Sequence, residues 1–79
     1  MRCSEMTKLL ESLGFDVRDG GRGGHKLFFH DQILGFISGS YNCGHRRNSE
    51  IKRPYIKKVL ATLRQYDAEL TRYLENGND

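Results

Sequence analysis

The chain has no tryptophan, a single proline and only two cysteines in 79 residues. Two cysteines, Cys3 and Cys43, are too few for the disulfide framework of a small secreted scaffold. No apolar run approaches the roughly 18 residues that a membrane-spanning helix needs, so no membrane partner is expected. The opening residues 1–6 hold no apolar signal core, and the expected compartment is a reducing cytoplasm. The short length excludes a large cofactor fold, because such a chain buries only about 60% of the surface it exposes unfolded. Aromatic residues at 10% and clear periodic segments still argue for a folded chain. One domain over 1–79 is expected, with its core over about 4–64, a helical extension over about 65–75 and a frayed tail over 76–79.

Charge of one sign is scarce in the middle of the chain. Residues 22–64 hold nine basic side chains and two acidic ones, Asp31 and Glu50, although the whole chain carries only +3. A basic middle between acidic flanks suits a polyanion. It also fits a merely solvated surface.

Met6, Leu9, Leu10 and Leu13 recur at helical spacing behind Ser4, a suitable N-cap, and ahead of Gly14, a suitable C-terminal stop. A first helix over about 4–13 follows. Residues 15–18 alternate as a strand does, and four glycines in 19–24 read as a turn. A second strand is predicted over 25–30, a hairpin at 30–32 and a third strand over 33–38. Residues 39–49 read as a loop. Pro54 suits the first turn of a helix, and one long helix is predicted over 55–74. Its inner side would carry Ile56, Val59, Leu60, Leu63, Tyr66 or Asp67, Leu70 and Leu74. Its second half lacks neighbouring chain to cover it and would project or pair with another chain. The expected class is α+β, in the order α-β-β-β-α, with a three-stranded antiparallel sheet and two helices on one face. Double-stranded-RNA-binding domains share this order.

His25 follows Gly23-Gly24 and opens the second strand. An imidazole there could exchange protons near neutral pH, although a histidine at a strand end is most often an ordinary surface residue. RNA brings its own nucleophile, the ribose 2′-hydroxyl. Its cleavage needs a base, an acid and positive charge, and His25 beside Arg22 and Lys26 would supply part of that set. Arg46, Arg47, Lys52, Lys57 and Lys58 gather around the start of the long helix, whose N–H groups also suit phosphate. Cys43-Gly44-His45 lacks the paired spacing of a zinc site and the orienting group of a nucleophilic pair. No metal or cofactor is expected, and Cys43 reads as a small loop residue.

These residues in this order resemble the HicA toxins of bacterial toxin–antitoxin systems. The likeness covers about residues 4–64: Leu9-Leu10, Gly14-Phe15, Gly24-His25, an aromatic strand ending in His30, and Glu50 to Pro54 leading into Ile56 to Leu60. Gly24 stands where the family usually carries a small hydroxyl residue. The resemblance implies a double-stranded-RNA-binding-like fold and metal-independent endoribonuclease action on mRNA. It places the active position on His25. It also implies a HicB-type antitoxin partner that covers this histidine and through which an oligomer could assemble. Phosphate contact is assigned to Arg22, Lys26, Arg46, Arg47, Lys52, Lys57 and Lys58, with His45 as a candidate second proton carrier. A non-catalytic RNA-binding module and a pure interaction domain are the competing readings.

Overall fold

The computed structural model describes residues 1–44, 46 and 48–76. Helix α1 spans Cys3–Ser12, strand β1 Asp16–Asp19, β2 His25–Phe29, β3 Gly39–Asn42, helix α2 Arg53–Gln65 and α3 Asp67–Asn76. The strands form one antiparallel sheet in the order β1-β2-β3. The expected α+β order is therefore present, with a third helix appended. No helix among the described residues is long and apolar enough to cross a membrane.

Side-chain alternation sorts the sheet into two faces. Val17, Phe28 and Tyr41 point towards the helices and join Met6, Leu10 and Val59 in the core. Arg18, His25, Leu27, Phe29, Ser40 and Asn42 share the opposite, open face. On that face the Arg18 guanidinium lies 5.5 Å from the centre of the Phe29 ring.

Helix α1 ends as the sequence suggests. Gly14 adopts φ +91°, the Gly14 N–H donates to the Glu11 carbonyl and the Phe15 N–H donates to that of Leu10, each at 3.0 Å. These two bonds satisfy carbonyls that the last turn leaves open. The start differs from expectation. Arg2, not Ser4, is the N-cap, and its N–H donates to Glu5 Oε1 at 2.8 Å.

The third strand is displaced from 33–38 to Gly39–Asn42. Residues 33–38 are apolar enough for a strand, but their burial does not alternate. Ile33 is buried and Phe36 packs on the core, while Leu34 and Ile37 are 92% and 87% exposed. A turn closed from the Phe36 N–H to the Ile33 carbonyl, with Gly35 at φ +86°, directs both core residues inward. The strand itself comes from the segment expected to be loop. Gly39 lies under the Phe28 ring, where a Cβ would collide, and Tyr41 is buried.

The long helix is also corrected. It divides at Tyr66, which takes φ −107° and ψ 21°. The Tyr66 ring meets Phe36 at 5.4 Å between centroids, and its hydroxyl donates to the Gly35 carbonyl. The bend turns α3 back onto the domain, so it does not project. Leu70 is buried and Tyr73 sits edge-on to His30 at 4.7 Å. Leu60, expected inside, is 41% exposed.

Cys3 and Cys43 are bonded to each other, 40 residues apart in sequence, with their Cα atoms 5.4 Å apart. Two cysteines make no framework, but they do make one bond, and Cys43 is more than the small loop residue expected. The sequence shows only their wide separation; the fold brings the start of α1 to the end of β3. In the chain-entropy account, closing a loop of this length stabilises by about 4 kcal/mol.

Candidate functional site

The site lies at the end of the sheet where β2 begins. The glycine-rich turn folds back so that the Gly20 N–H donates to the His25 carbonyl at 2.8 Å and the His25 N–H to that of Arg22 at 3.0 Å. The His25 imidazole rests against Gly20, where any Cβ would strike the ring. His25 is half-buried on the open face, and its cross-strand neighbour is Asn42. Among the described residues its ring makes no hydrogen bond.

Gly24 has a different constraint. A Cβ there would meet the backbone of Cys43 and Gly44, and the Cys43 N–H donates to the Gly24 carbonyl at 2.7 Å. Backbone packs on backbone, so no side chain fits at the position that carries a hydroxyl in the resembled family. The same approach opens a basin of about 540 Å³ lined by Gly23, Gly24, Lys26, Arg46, Asn48 and both cysteines, with Gly44 at its rim. Gly44 also borders a second recess of about 230 Å³ with Asn42, Glu50, Lys52 and Tyr55.

The basic residues divide by position. Arg46 and Lys52 are exposed and border the two adjoining recesses. Lys52 is also the N-cap of α2, where the helix dipole adds partial positive charge. Arg22 is exposed on the β1–β2 turn. Lys26 alternates onto the helix-side face, away from His25, and its ammonium pairs with Asp19. It lines the basin as half of an ion pair rather than as an unpaired cation. Lys57 and Lys58 are exposed on α2, and Lys58 borders a recess with Ser38, Gly39 and Ser40 at the other end of β3. Arg47 and His45 lie outside the described residues.

Three features of the site escape a reading of the sequence for basic and catalytic residues. The cystine is one. Asn42 is another: its Oδ1 accepts the Gly44 N–H at 2.7 Å and fixes the chain's exit from β3. The pattern Asn-Cys-Gly carries that signal, because asparagine bonds the backbone two residues on. The third is Asn48, at φ +56°, which bonds the start of α1; asparagine is the residue besides glycine that most readily takes this conformation.

No protein family matches the chain, and neither a curated protein nor a solved structure is significantly similar to it.

Proposed function

We propose that this chain is a HicA-like toxin, a metal-independent endoribonuclease that cleaves mRNA with His25 as its acid–base group. The observation that carries this reading is the placement of His25. Its imidazole opens the central strand on an uncovered sheet face, seated on Gly20, at the same end of the sheet as Arg22, Arg46 and Lys52. In the proposed reaction the imidazole takes the 2′-hydroxyl proton as that oxygen attacks the neighbouring phosphorus. The P–O5′ bond breaks, and the imidazolium returns the proton to the departing 5′ oxygen. A 2′,3′-cyclic phosphate and a 5′-hydroxyl result. Arg46 and Lys52 neutralise charge on the phosphate path. A HicB-type antitoxin with an acidic face would silence the toxin by covering His25 and occupying the phosphate positions, and could link several copies.

A non-catalytic RNA-binding module is the second reading. The absence of an orienting hydrogen bond to the His25 ring among the described residues favours it. Incubation of the purified chain with labelled mRNA in EDTA separates the two. Cleavage is expected, and His25→Ala is expected to lower its rate by about 10²–10⁴-fold while RNA stays bound. Salt-sensitive binding without cleavage would select the binding module. Neither binding nor cleavage would leave the interaction domain.

A further inference from the structure

The Cys3–Cys43 bond joins the first residue of α1 to the residue that follows β3, and both cysteines line the basin that Arg46 borders. The segment leaving Cys43 and carrying Arg46 is held at its two ends. At its start stand the cystine and the Cys43 N–H bond to Gly24. At its far end it meets the open N-terminus of α1. The Ser4 N–H donates to Asn48 Oδ1 at 3.0 Å, the Cys3 N–H to the Ser49 carbonyl at 2.9 Å, and Arg2 Nη1 to the Asn48 carbonyl at 3.2 Å. The Ile51 N–H donates to the Met1 carbonyl at 2.9 Å. The first turn of a helix has no internal partners for its N–H groups. Here the basic segment supplies two of them, so helix start and basic segment form one unit. The cystine is its covalent tie.

We propose that this cystine is a reducible clasp on the basin: its reduction by a dithiol frees the segment carrying Arg46 from the Gly23–Gly24 edge and weakens RNA binding there. The effect on RNA rests on the function proposed above; the clasp itself does not. The exchange balances. A thiolate of the reductant attacks one cystine sulfur and the other leaves as a thiolate. The reductant's second thiol then displaces the mixed disulfide. The dithiol ends as a cyclic disulfide, and two electrons and two protons end on Cys3 and Cys43 as thiols. Cys3 and Cys43 are buried, at 9% and 4% exposure, and the basin they line is the side from which a dithiol would reach the bond, with Arg46 there favouring an incoming anion. Once the tie is cut, hydrogen bonds and the packing of Cys43 and Ile51 alone position the segment, and RNA binding must bear part of the cost of ordering it.

The test uses the full chain carrying His25→Ala, so that RNA binding is read without cleavage. The oxidised protein, the protein reduced with dithiothreitol, and the Cys3→Ser/Cys43→Ser variant are each titrated with a labelled mRNA fragment. Reduction is expected to weaken binding about tenfold and reoxidation to restore it. The serine variant should bind like the reduced form and ignore the dithiol. Amide exchange supplies a readout independent of RNA. On reduction, the Cys3, Ser4, Cys43 and Ile51 amides should lose protection while the β1–β2 amides keep theirs. If the serine variant fails to fold, the reduced and reoxidised parent protein carries both measurements. Unchanged protection on reduction overturns the clasp, whatever RNA does. Lost protection with unchanged RNA affinity overturns its control of binding. Lost protection with no RNA bound in any state retains the clasp and sinks the proposed function instead.

Discussion

His25 opens β2 and His30, five residues on, directly follows its last residue, and their surroundings are opposite. His30 is 5% exposed. Its Nε2 donates to the Leu13 carbonyl at 3.0 Å and its Nδ1 accepts the Gln32 N–H at 3.2 Å, a pairing that suits the neutral imidazole with its proton on Nε2. Phe15 and Tyr73 meet its ring edge-on at 4.8 and 4.7 Å. His25 has a glycine beneath it and an uncovered face above. The difference teaches where each end of the domain gets its order. The His30 end is fixed by aromatic packing and satisfied polar atoms. The His25 end is fixed by backbone approach at Gly24, by hydrogen bonds from α1 and by one covalent bond. An odd spacing along an extended chain also sends the two side chains to opposite faces, so they cannot share one chemistry.

The largest expected effect that sharpens this contrast comes from exchanging each histidine for alanine. His30→Ala removes a buried ring between two aromatics and strands the Leu13 carbonyl and the Gln32 N–H. A loss of about 3–5 kcal/mol is expected in urea denaturation. His25→Ala should stay within about 0.5 kcal/mol of the parent, as substitutions away from packed features do. Equal losses at the two positions would erase the contrast.

A smaller effect distinguishes the glycines of the two ends. Gly14 and Gly21 both have positive φ, at 91° and 98°. A Cβ on Gly14 would lie within 2.5–2.7 Å of Tyr73 ring atoms, whereas one on Gly21 would meet nothing within 4 Å. Left-handed strain alone costs an alanine about 1–2 kcal/mol. Gly21→Ala should show that cost and no more. Gly14→Ala should add about 1 kcal/mol as Tyr73 is forced from His30. Thermal denaturation of both variants measures the gap, and its absence would mean that Tyr73 yields freely.

Much of the His30 end is legible in the sequence, because its devices are local. Leu13-Gly14-Phe15 announces a helix stop, and the spacing of Met6, Leu10 and Leu13 announces the face that packs. The errors arise where burial departs from composition. Ile33 and Phe36 are three apart, a turn spacing hidden in an apolar run that also reads as a strand. Gly39 and Tyr41 form a strand because Phe28 needs space and Thr7 offers a hydroxyl, and neither fact is local. The register at Tyr66 or Asp67 is ambiguous in the apolar stripe, and there the helix bends. At the His25 end the basic residues are visible as a composition. Their sorting is not: Lys26 is claimed by Asp19, and the cystine depends on two segments 40 residues apart.

The smallest expected effect lies at the seam between the two ends. Tyr41 pairs across the sheet with Lys26, is 1% exposed, and shares a 2.8 Å hydrogen bond with Thr7 Oγ1 of α1. Burial pushes the Tyr41 phenol above its ordinary range near pH 10, against smaller opposing effects of the Thr7 bond and the Lys26 charge. The folded chain therefore keeps this proton at a pH where the unfolded chain releases it. Stability from this group is fully present below the ordinary phenol pKa and is lost as pH rises through the raised one. Tyr41→Phe removes the bond to Thr7 and should cost about 1 kcal/mol at neutral pH. It also removes the titrating group, so the variant should lose less stability on going to about pH 10.5. Every other group is common to both proteins and cancels in the comparison. Urea denaturation of the two at about pH 7 and about pH 10.5 should show a gap that narrows with alkali. A gap that stays constant would mean that the phenol opens to solvent before it ionises, and that the seam yields as readily as the cystine end.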